Sequence, residues 1–492
     1  MKISKLLEKI DIIDKKGTAE NEIRGIVTDS RKIIPGDCFV CIRGFRTDGH
    51  TYANQVAAKG AALIIMDDRA FFTNESFRLS EKINSGAVTL ALCENSRYAL
   101  ALLSDCFWGH PSGELNLIGV TGTKGKTTTS LFIKNIYDRA GVKTGLVGTM
   151  YNMVGEETLP SERTTPESNE LQPLLRRMAD EGVKTCVMED SSQGLKLGRV
   201  LGCEYNIGIF TNLSPDHLGP TEHPDMEDYA ASKGKLFKMC GKGLVNADSS
   251  WLPKVIDGAT CELYTYAIDR EADFMAKNIV YKSDGVEYDL YGLCPEIHIS
   301  TAIPGKFSVY NSMAAAGAAF LDGVPAGIIQ NGLRDFIVKG KAEIVPTGRD
   351  FSVMIDYAHN SDSFINIISA VKNYARRVVF LFGCGGDRNR QRELMGETAA
   401  TYADFTIITS DNPRSEDPAK IVEDIERGAA KTEKPYICIV DRKEAIWYAI
   451  KNAQSGDVII LAGKGHETTQ IFRDKVIEFD ERLIVKEALE SM

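Results

Sequence analysis

The chain has 492 residues, 43% hydrophobic and 26% charged, with a formal net charge of -10. That length exceeds what one hydrophobic core organises and points to several domains. No apolar run approaches the ~18 residues a membrane span needs, the acidic balance argues against wrapping a nucleic-acid backbone, and the opening MKISKLLEKI is too broken by charge to be a signal-peptide core, so a cytoplasmic address is expected. The 11 cysteines, an odd number, lie mostly in apolar runs, as reduced core thiols do, and disulfides are not expected. Cys38 and Cys41 have metal-knuckle spacing, yet in a strand positions i and i+3 face opposite ways and no second pair follows, so zinc is not expected there.

In chain order, residues 1–112 read as a small α/β domain with strands near 25–30, 37–42 and 61–66 and a helix near 52–59. His110, Pro111, Ser112 and Gly113 read as a linker. Residues 113–340 open on a predicted strand at 116–120 that runs into GVTGTKGKT at 119–127. Gly122 and Gly125 would let backbone N–H groups of Thr123, Lys124 and their neighbours turn towards phosphate oxygens. Lys126 would bring a cation to the outer phosphates, and the Thr127 hydroxyl, ahead of Thr128, could ligate Mg²⁺. The strict phosphate-loop pattern asks for glycine where Val120 stands, and the competing reading is an ordinary glycine-rich turn before a helix. Strand, loop, Gly-Lys-Thr and helix in that order favour the nucleotide site.

Further buried strands are predicted at 184–189 and 206–211, and such runs between helical patterns imply a parallel sheet covered on both faces. Ligands sit beyond the carboxyl ends of such strands. Glu189 ends the first and is placed to hold Mg²⁺, while Asp190, Ser191 and Ser192 could equally cap the next helix. His217 follows the second, as a metal ligand or as a satisfied loop histidine. Over 225–237, helical spacing puts Lys233 on an apolar stripe with Met226, Tyr229, Ala230 and Phe237. Such a lysine either snorkels to solvent or points into a catalytic cleft. Residues 341–492 read as a second α/β domain with strands at 353–356, 378–382, 405–409 and 457–462. Each is followed by a polar or glycine-rich loop: DYAH at 356–359, GCGGDR at 383–388, DNPR at 411–414 and GKGHE at 463–467. Four such strand ends describe one rim facing one cleft. The fold expected is therefore α/β in three domains: a small N-terminal domain, a central P-loop mononucleotide-binding domain with a parallel sheet, and a C-terminal Rossmann-like domain.

With TDSR at 28–31, Thr164-Thr165, Ser191-Ser192 after Glu189, Asp216-His217, YAASK at 229–233 and VYN at 309–311 added to these motifs, the chain resembles the Mur ligases of peptidoglycan synthesis over nearly its whole length. That family also lacks the glycine replaced here by Val120. The resemblance implies an ATP- and Mg²⁺-dependent amide ligase of peptidoglycan precursor synthesis, serving cell-wall biogenesis, cell shape and division. It would add meso-diaminopimelate to UDP-N-acetylmuramoyl-L-alanyl-D-glutamate through an acyl phosphate. It implies catalytic roles for Lys126, Glu189, His217 and Lys233, with Thr127, Glu189, His217 and a carbamylated Lys233 as metal ligands. Asn311 and His359 would lie near the ATP. Ser30 would contact the uridine nucleotide, and Thr164, Thr165, Ser191 and Arg199 the muramoyl dipeptide. Arg388, Asp411, Asn412, Pro413, Arg414, Gly463 and Glu467 would form the amino-acid pocket, Arg414 clamping the distal carboxylate and Glu467 reading the far ammonium. Partners would be small molecules, with no nucleic acid and no membrane insertion, and the protein a monomer. The chain departs from the family pattern at Asp190, Gln193, Lys341 and Asn360-Ser361, in a longer 218–225 loop and in a shorter 389–393 segment. A diverged paralogue joining another amino acid or acyl donor is the alternative.

Overall fold

The computed structural model describes residues 1–492 except 45–46, 74–78, 220–221, 283, 335, 373 and 388–390. The chain divides into two compact units, Met1–Phe274 with Ala314–Ile328, and Met275–Met313 with Ile329–Met492. Among the described residues no helix is long and apolar enough to cross a membrane.

The first unit begins with a five-stranded sheet in the order Ile12–Lys16, Thr89–Cys93, Leu63–Met66, Cys38–Val40, Ile26–Val27. All neighbours are parallel except Ile12–Lys16, which runs antiparallel to Thr89–Cys93. The period-2 geometry of a strand divides each apolar run between two cores. Leu63 and Ile65 pack with Leu100 and Leu103 of helix Ser96–Phe107, whereas Ile64 and Met66 pack with Val56 and Ala57 of helix Ala53–Ala58. Cys38 and Cys41 are split the same way, one to each core. The segment read as a linker is ordered and packed. Pro111–Glu114 forms a 3-10 turn with Pro111 and Ser112 buried, and Ser112 Oγ accepts from Glu204 N at 3.2 Å. A proline at the first helical position has its φ set in advance and no N–H to satisfy, which suits a packed turn better than a flexible joint.

The same unit continues as a larger sheet in the order Glu262–Ala267, Cys240–Asn246, Tyr205–Phe210, Asn116–Thr121, Thr185–Glu189, Thr144–Val147, Tyr151–Val154, Glu157–Pro160. The first six are parallel and the last two add antiparallel hairpins. Register pairs Glu189 with Val120, so the carboxylate stands level with the start of the glycine loop.

In the second unit, strands Gly285–Gly292 and Ile297–Thr301 pair antiparallel. A six-stranded sheet follows in the order Glu343–Val345, Ser352–Asp356, Asp457–Ala462, Arg377–Phe382, Phe405–Ile408, Tyr436–Cys438, parallel except for its first strand. The hairpin Thr469–Ile471 with Val476–Glu478 stands apart from it. Under the carboxyl edge, fully buried Arg442 pairs with fully buried Glu481 at 2.8 Å and donates to Ala462 O at 2.8 Å.

Candidate active site

The strand Asn116–Thr121 delivers the glycine loop to the start of helix Lys126–Arg139. Gly125 is the helix N-cap at φ 86, a left-handed conformation that glycine adopts without strain, and a Cβ at Gly122 would collide with the Thr211 hydroxyl. The loop is fastened to the end of the neighbouring strand. Thr123 N donates to Asn212 O at 2.9 Å, Lys124 N to Asn212 Oδ1 at 3.0 Å, and Thr211 Oγ1 to Lys124 O at 2.7 Å. Lys126 folds back over the loop, its Nζ donating to Gly122 O at 2.8 Å and to Thr123 O at 3.1 Å. Thr128 is buried in the first helical turn.

Glu189 is 1% exposed and densely bonded. Thr127 Oγ1 donates to its Oε2 at 2.9 Å, and Thr149 donates through Oγ1 to Oε2 at 2.8 Å and through N to Oε1 at 3.0 Å. A hydroxyl and a carboxylate side by side at a phosphate loop are hard oxygen donors of the kind Mg²⁺ takes. Among the described residues no group of three His, Cys, Asp or Glu could hold a metal by itself.

Lys233 is 1% exposed, so its head does not snorkel. Its Nζ donates to Gly122 O at 2.8 Å, the carbonyl that Lys126 also uses, and lies 4.6 Å from the centroid of the Tyr229 ring. Burial, reinforced by the nearby Lys126 charge, holds the Lys233 pKa well below the ordinary lysine value and favours the neutral amine. Tyr229 Oη is 3.1 Å from Thr123 Oγ1. His217 is exposed, at φ 56, with Nδ1 2.9 Å from Glu222 Oε2 and its ring centroid 6.3 Å from that of Tyr229. Neighbouring Asp216 pairs with Lys124 at 2.9 Å.

Beside Glu189, Thr165 Oγ1 is 2.9 Å from the Glu189 carbonyl and accepts from Ser191 N at 2.9 Å. Thr164 Oγ1 is 3.0 Å from Thr149 Oγ1. Ser191 caps helix Ser192–Lys196 by accepting from Gly194 N at 3.0 Å, so the capping reading holds for that serine. Asp190 is no cap. It is fully buried, it accepts from Tyr205 Oη at 2.9 Å, and burial together with the Glu189 charge raises its pKa to about 8. Arg199 donates from Nη1 to Thr165 O at 3.0 Å and pairs through Nη2 with Glu167 at 2.9 Å. Its Nε is buried and without a partner among the described residues. Ser30 lies among the loops of the five-stranded sheet, buried, its carbonyl accepting from Lys59 Nζ at 2.8 Å. Thr149 and Glu167 went unremarked in the sequence. Thr149 follows strand Thr144–Val147 by one glycine, and the strand-end rule applied there would have found it.

In the second unit the four polar loops follow four adjacent parallel strands and share one edge. Asn412 Nδ2 donates to Glu467 Oε2 at 2.8 Å, and buried Lys464 donates to Asn412 Oδ1 at 3.1 Å and to Glu467 Oε2 at 3.2 Å. The hairpin completes the wall: Gln470 Nε2 donates to Asp411 O at 2.7 Å and Ile471 N to Asn412 Oδ1 at 3.0 Å. Pro413 and Gly463 are buried beside them. Arg414 sits at φ 55 with its N–H on Ile471 O, and its Nε is buried and has no partner among the described residues. His359 Nδ1 is 2.9 Å from Tyr357 O, and Asn311 is buried in helix Lys306–Leu321. Arg388 lies outside the described residues.

Three family models match in series: "Mur ligase family, catalytic domain" at residues 22–103, "Mur ligase middle domain" at 120–319 and "Mur ligase, glutamate ligase domain" at 340–465. A protein of Caldanaerobacter subterraneus subsp. tengcongensis, named UDP-N-acetylmuramoyl-L-alanyl-D-glutamate--2,6-diaminopimelate ligase, is 46% identical over 96% of both chains. One of the same name from Alkaliphilus metalliredigens is 41% identical over 99% of this chain and 97% of its own. A solved structure titled with that enzyme name superposes with a TM-score of 0.72 at 27% identity, covering 100% of this chain and 99% of the other. With the three-domain α/β architecture matched in order and relatives aligned from end to end, the chain belongs to the Mur ligase family.

Proposed function

We propose that this protein is a cytoplasmic, monomeric, ATP-dependent ligase that joins meso-2,6-diaminopimelate to the D-glutamyl γ-carboxyl of UDP-N-acetylmuramoyl-L-alanyl-D-glutamate. Residues 1–112 would take the uridine nucleotide through Ser30, 113–340 the ATP and dipeptide, and 341–492 the amino acid. The carrying observation is the glycine loop in which Lys126 folds over the Gly122 carbonyl while Thr127 meets the buried Glu189 carboxylate. In the reaction the γ-carboxylate attacks the γ-phosphorus of ATP and expels ADP. The incoming amine then displaces phosphate from the acyl phosphate and loses a proton.

Lys126 exchanges its two loop carbonyls for phosphate oxygens, a stronger charge-assisted pairing. Thr127 and Glu189, with His217 and Lys233, would hold Mg²⁺, which when bound neutralises charge on the transferring phosphoryl group. The neutral amine that burial favours at Lys233 is the form able to add CO₂, and the resulting carbamate, formed with release of a proton to solvent, would be a carboxylate-like ligand. Arg199 presents to the dipeptide an Nε that has no partner among the described residues, beside Thr164, Thr165 and Ser191. Arg414 does the same for the distal carboxylate of diaminopimelate, and Asn412 and Lys464 fix Glu467 for the far ammonium. Asn311 and His359 serve the nucleotide, and Arg388 the amino acid. The departure at Asp190 points into the core at Tyr205 and gives no reason to expect another substrate.

Purified protein given ATP, Mg²⁺, the UDP-muramoyl dipeptide and a panel of amino acids should yield the diaminopimelate tripeptide by mass spectrometry, with ADP and phosphate. Preference for an amino acid lacking a second carboxylate would refute the substrate assignment, and no ligation at all would refute the function.

A further inference from the structure

His223 lies outside every role assigned above, yet it is 0% exposed and bonded at both ring nitrogens. Nδ1 is 2.6 Å from Asp228 Oδ2 and Nε2 is 2.9 Å from Ser192 Oγ. A carboxylate can only accept, so Nδ1 donates to Asp228 and the ring presents Nε2 to the Ser192 hydroxyl. Lys196 secures the arrangement, its Nζ reaching Asp228 Oδ2 at 2.7 Å and Glu222 O at 2.9 Å.

The ring touches both halves of the site. On one side Ser192 follows Ser191, whose N–H and Oγ engage Thr165 and Gly194. On the other, the ring centroid is 4.8 Å from that of Tyr229, the tyrosine that meets Thr123 of the glycine loop and carries Lys233 over its face. The His223 backbone closes the loop that begins at His217: His223 N donates to His217 O at 3.2 Å and Gly219 N to His223 O at 2.8 Å. His217 has the left-handed φ of 56, uncommon outside glycine and held by its surroundings.

We propose that His223 is a positioning residue for the ligation: it locks the Ser191-Ser192 corner on the dipeptide side to the Tyr229 and His217 elements on the phosphate side, without itself touching substrate. The proposal rests on the reading under Proposed function. In His223→Asn, the side-chain amide can still meet Asp228 but cannot reach Ser192, whereas Gln can present an acceptor near the position of Nε2.

His223→Asn and Ser192→Ala should each raise the apparent KM for the UDP-muramoyl dipeptide about tenfold, the scale on which a small displacement of a reacting group is felt. The double variant should be no worse than either single one, because both changes break the same link. His223→Gln should fall closer to the parent, and ADP binding measured by calorimetry should be unchanged throughout. Unaltered KM in folded variants, additive effects in the double variant, or a lower melting temperature with parental kinetics would overturn the proposal. Should His223→Asn not fold, Ser192→Ala alone must raise the KM, and a parental value there overturns it. A parent protein that ligates nothing overturns both readings, while an active parent with unchanged variants overturns this one alone.

Discussion

The glycine loop and the Asp411–Arg414 loop both lie at the carboxyl ends of parallel strands, but they meet their charges differently. At the glycine loop the chain answers its own ions: Lys126 and Lys233 share the Gly122 carbonyl, and Glu189 is bonded by Thr127 and Thr149. At Asp411–Arg414 the polar side chains knit to one another through Asn412, Lys464 and Glu467, while the Arg414 Nε stays buried without a partner among the described residues. A buried guanidinium N–H left unsatisfied costs stability unless a ligand completes it. The first loop thus meets its charges internally, whereas the second leaves a buried guanidinium donor without an acceptor among the described residues.

The largest effect expected is at the loop that answers its own charge. Lys126→Ala should cut phosphate release and ligation by about a thousand-fold or more, since preorganised cations on a transferring phosphoryl group carry most of such catalysis, with the circular dichroism spectrum unchanged. Near-parental turnover would remove the basis of the comparison.

Next comes the support beneath the amino-acid rim. Arg442→Ala strands Glu481 as a buried carboxylate, and the second unit should lose about 3 to 5 kcal/mol of stability in urea titration. Burial already pushes the Glu481 pKa above the usual carboxylate range against the pull of Arg442. The paired change Arg442→Met with Glu481→Leu should restore most of the loss, and if it does not, the ion pair is not what holds that edge.

Arg414→Ala tests the reserved donor directly. The KM for meso-diaminopimelate should rise about 30-fold, equivalent to about 2 kcal/mol, while the ATP and UDP-dipeptide constants stay put and L-lysine loses its relative disadvantage. An unchanged preference would show that selectivity lies elsewhere on the rim.

A pH-dependent effect concerns Asp190, a buried acid behind the glycine loop. Its proton is held to about pH 8 in the folded chain, against an ordinary value of 3.8. Between those values the folded state binds more protons than the unfolded one, so Asp190 makes stability fall as pH rises through that window and has no further effect above it. The slope it contributes is about 1 kcal/mol per pH unit. Asp190→Asn, which keeps an acceptor for Tyr205, should flatten the thermal-stability profile between pH 5 and 7, and an identical profile would show that the carboxyl is not held neutral.

Local signals in the sequence determined a good deal of this. Apolar runs bounded by turns located the strands Asn116–Thr121, Thr185–Glu189, Tyr205–Phe210, Ser352–Asp356, Arg377–Phe382 and Asp457–Ala462 to within a residue or two. Strand ends picked out Glu189 and the four rim loops, and helical spacing singled out Lys233, because periodicity and turn chemistry act over a few residues and need no partner. Tertiary structure decided the rest. That Lys233 is buried against Gly122 rather than snorkelling, that Pro111 is packed, that Asp190 faces Tyr205 rather than capping a helix, and that His223 joins Ser192 to Asp228 all depend on residues brought together from distant parts of the chain. The weak exposed strand Ile12–Lys16 and the hairpin Thr469–Ile471 with Val476–Glu478 are likewise defined by what they pair with. A sequence sets which segments want burial and which loops can turn, while the free energy of ordering a particular charge depends on the neighbour that satisfies it, and only the folded chain supplies that neighbour.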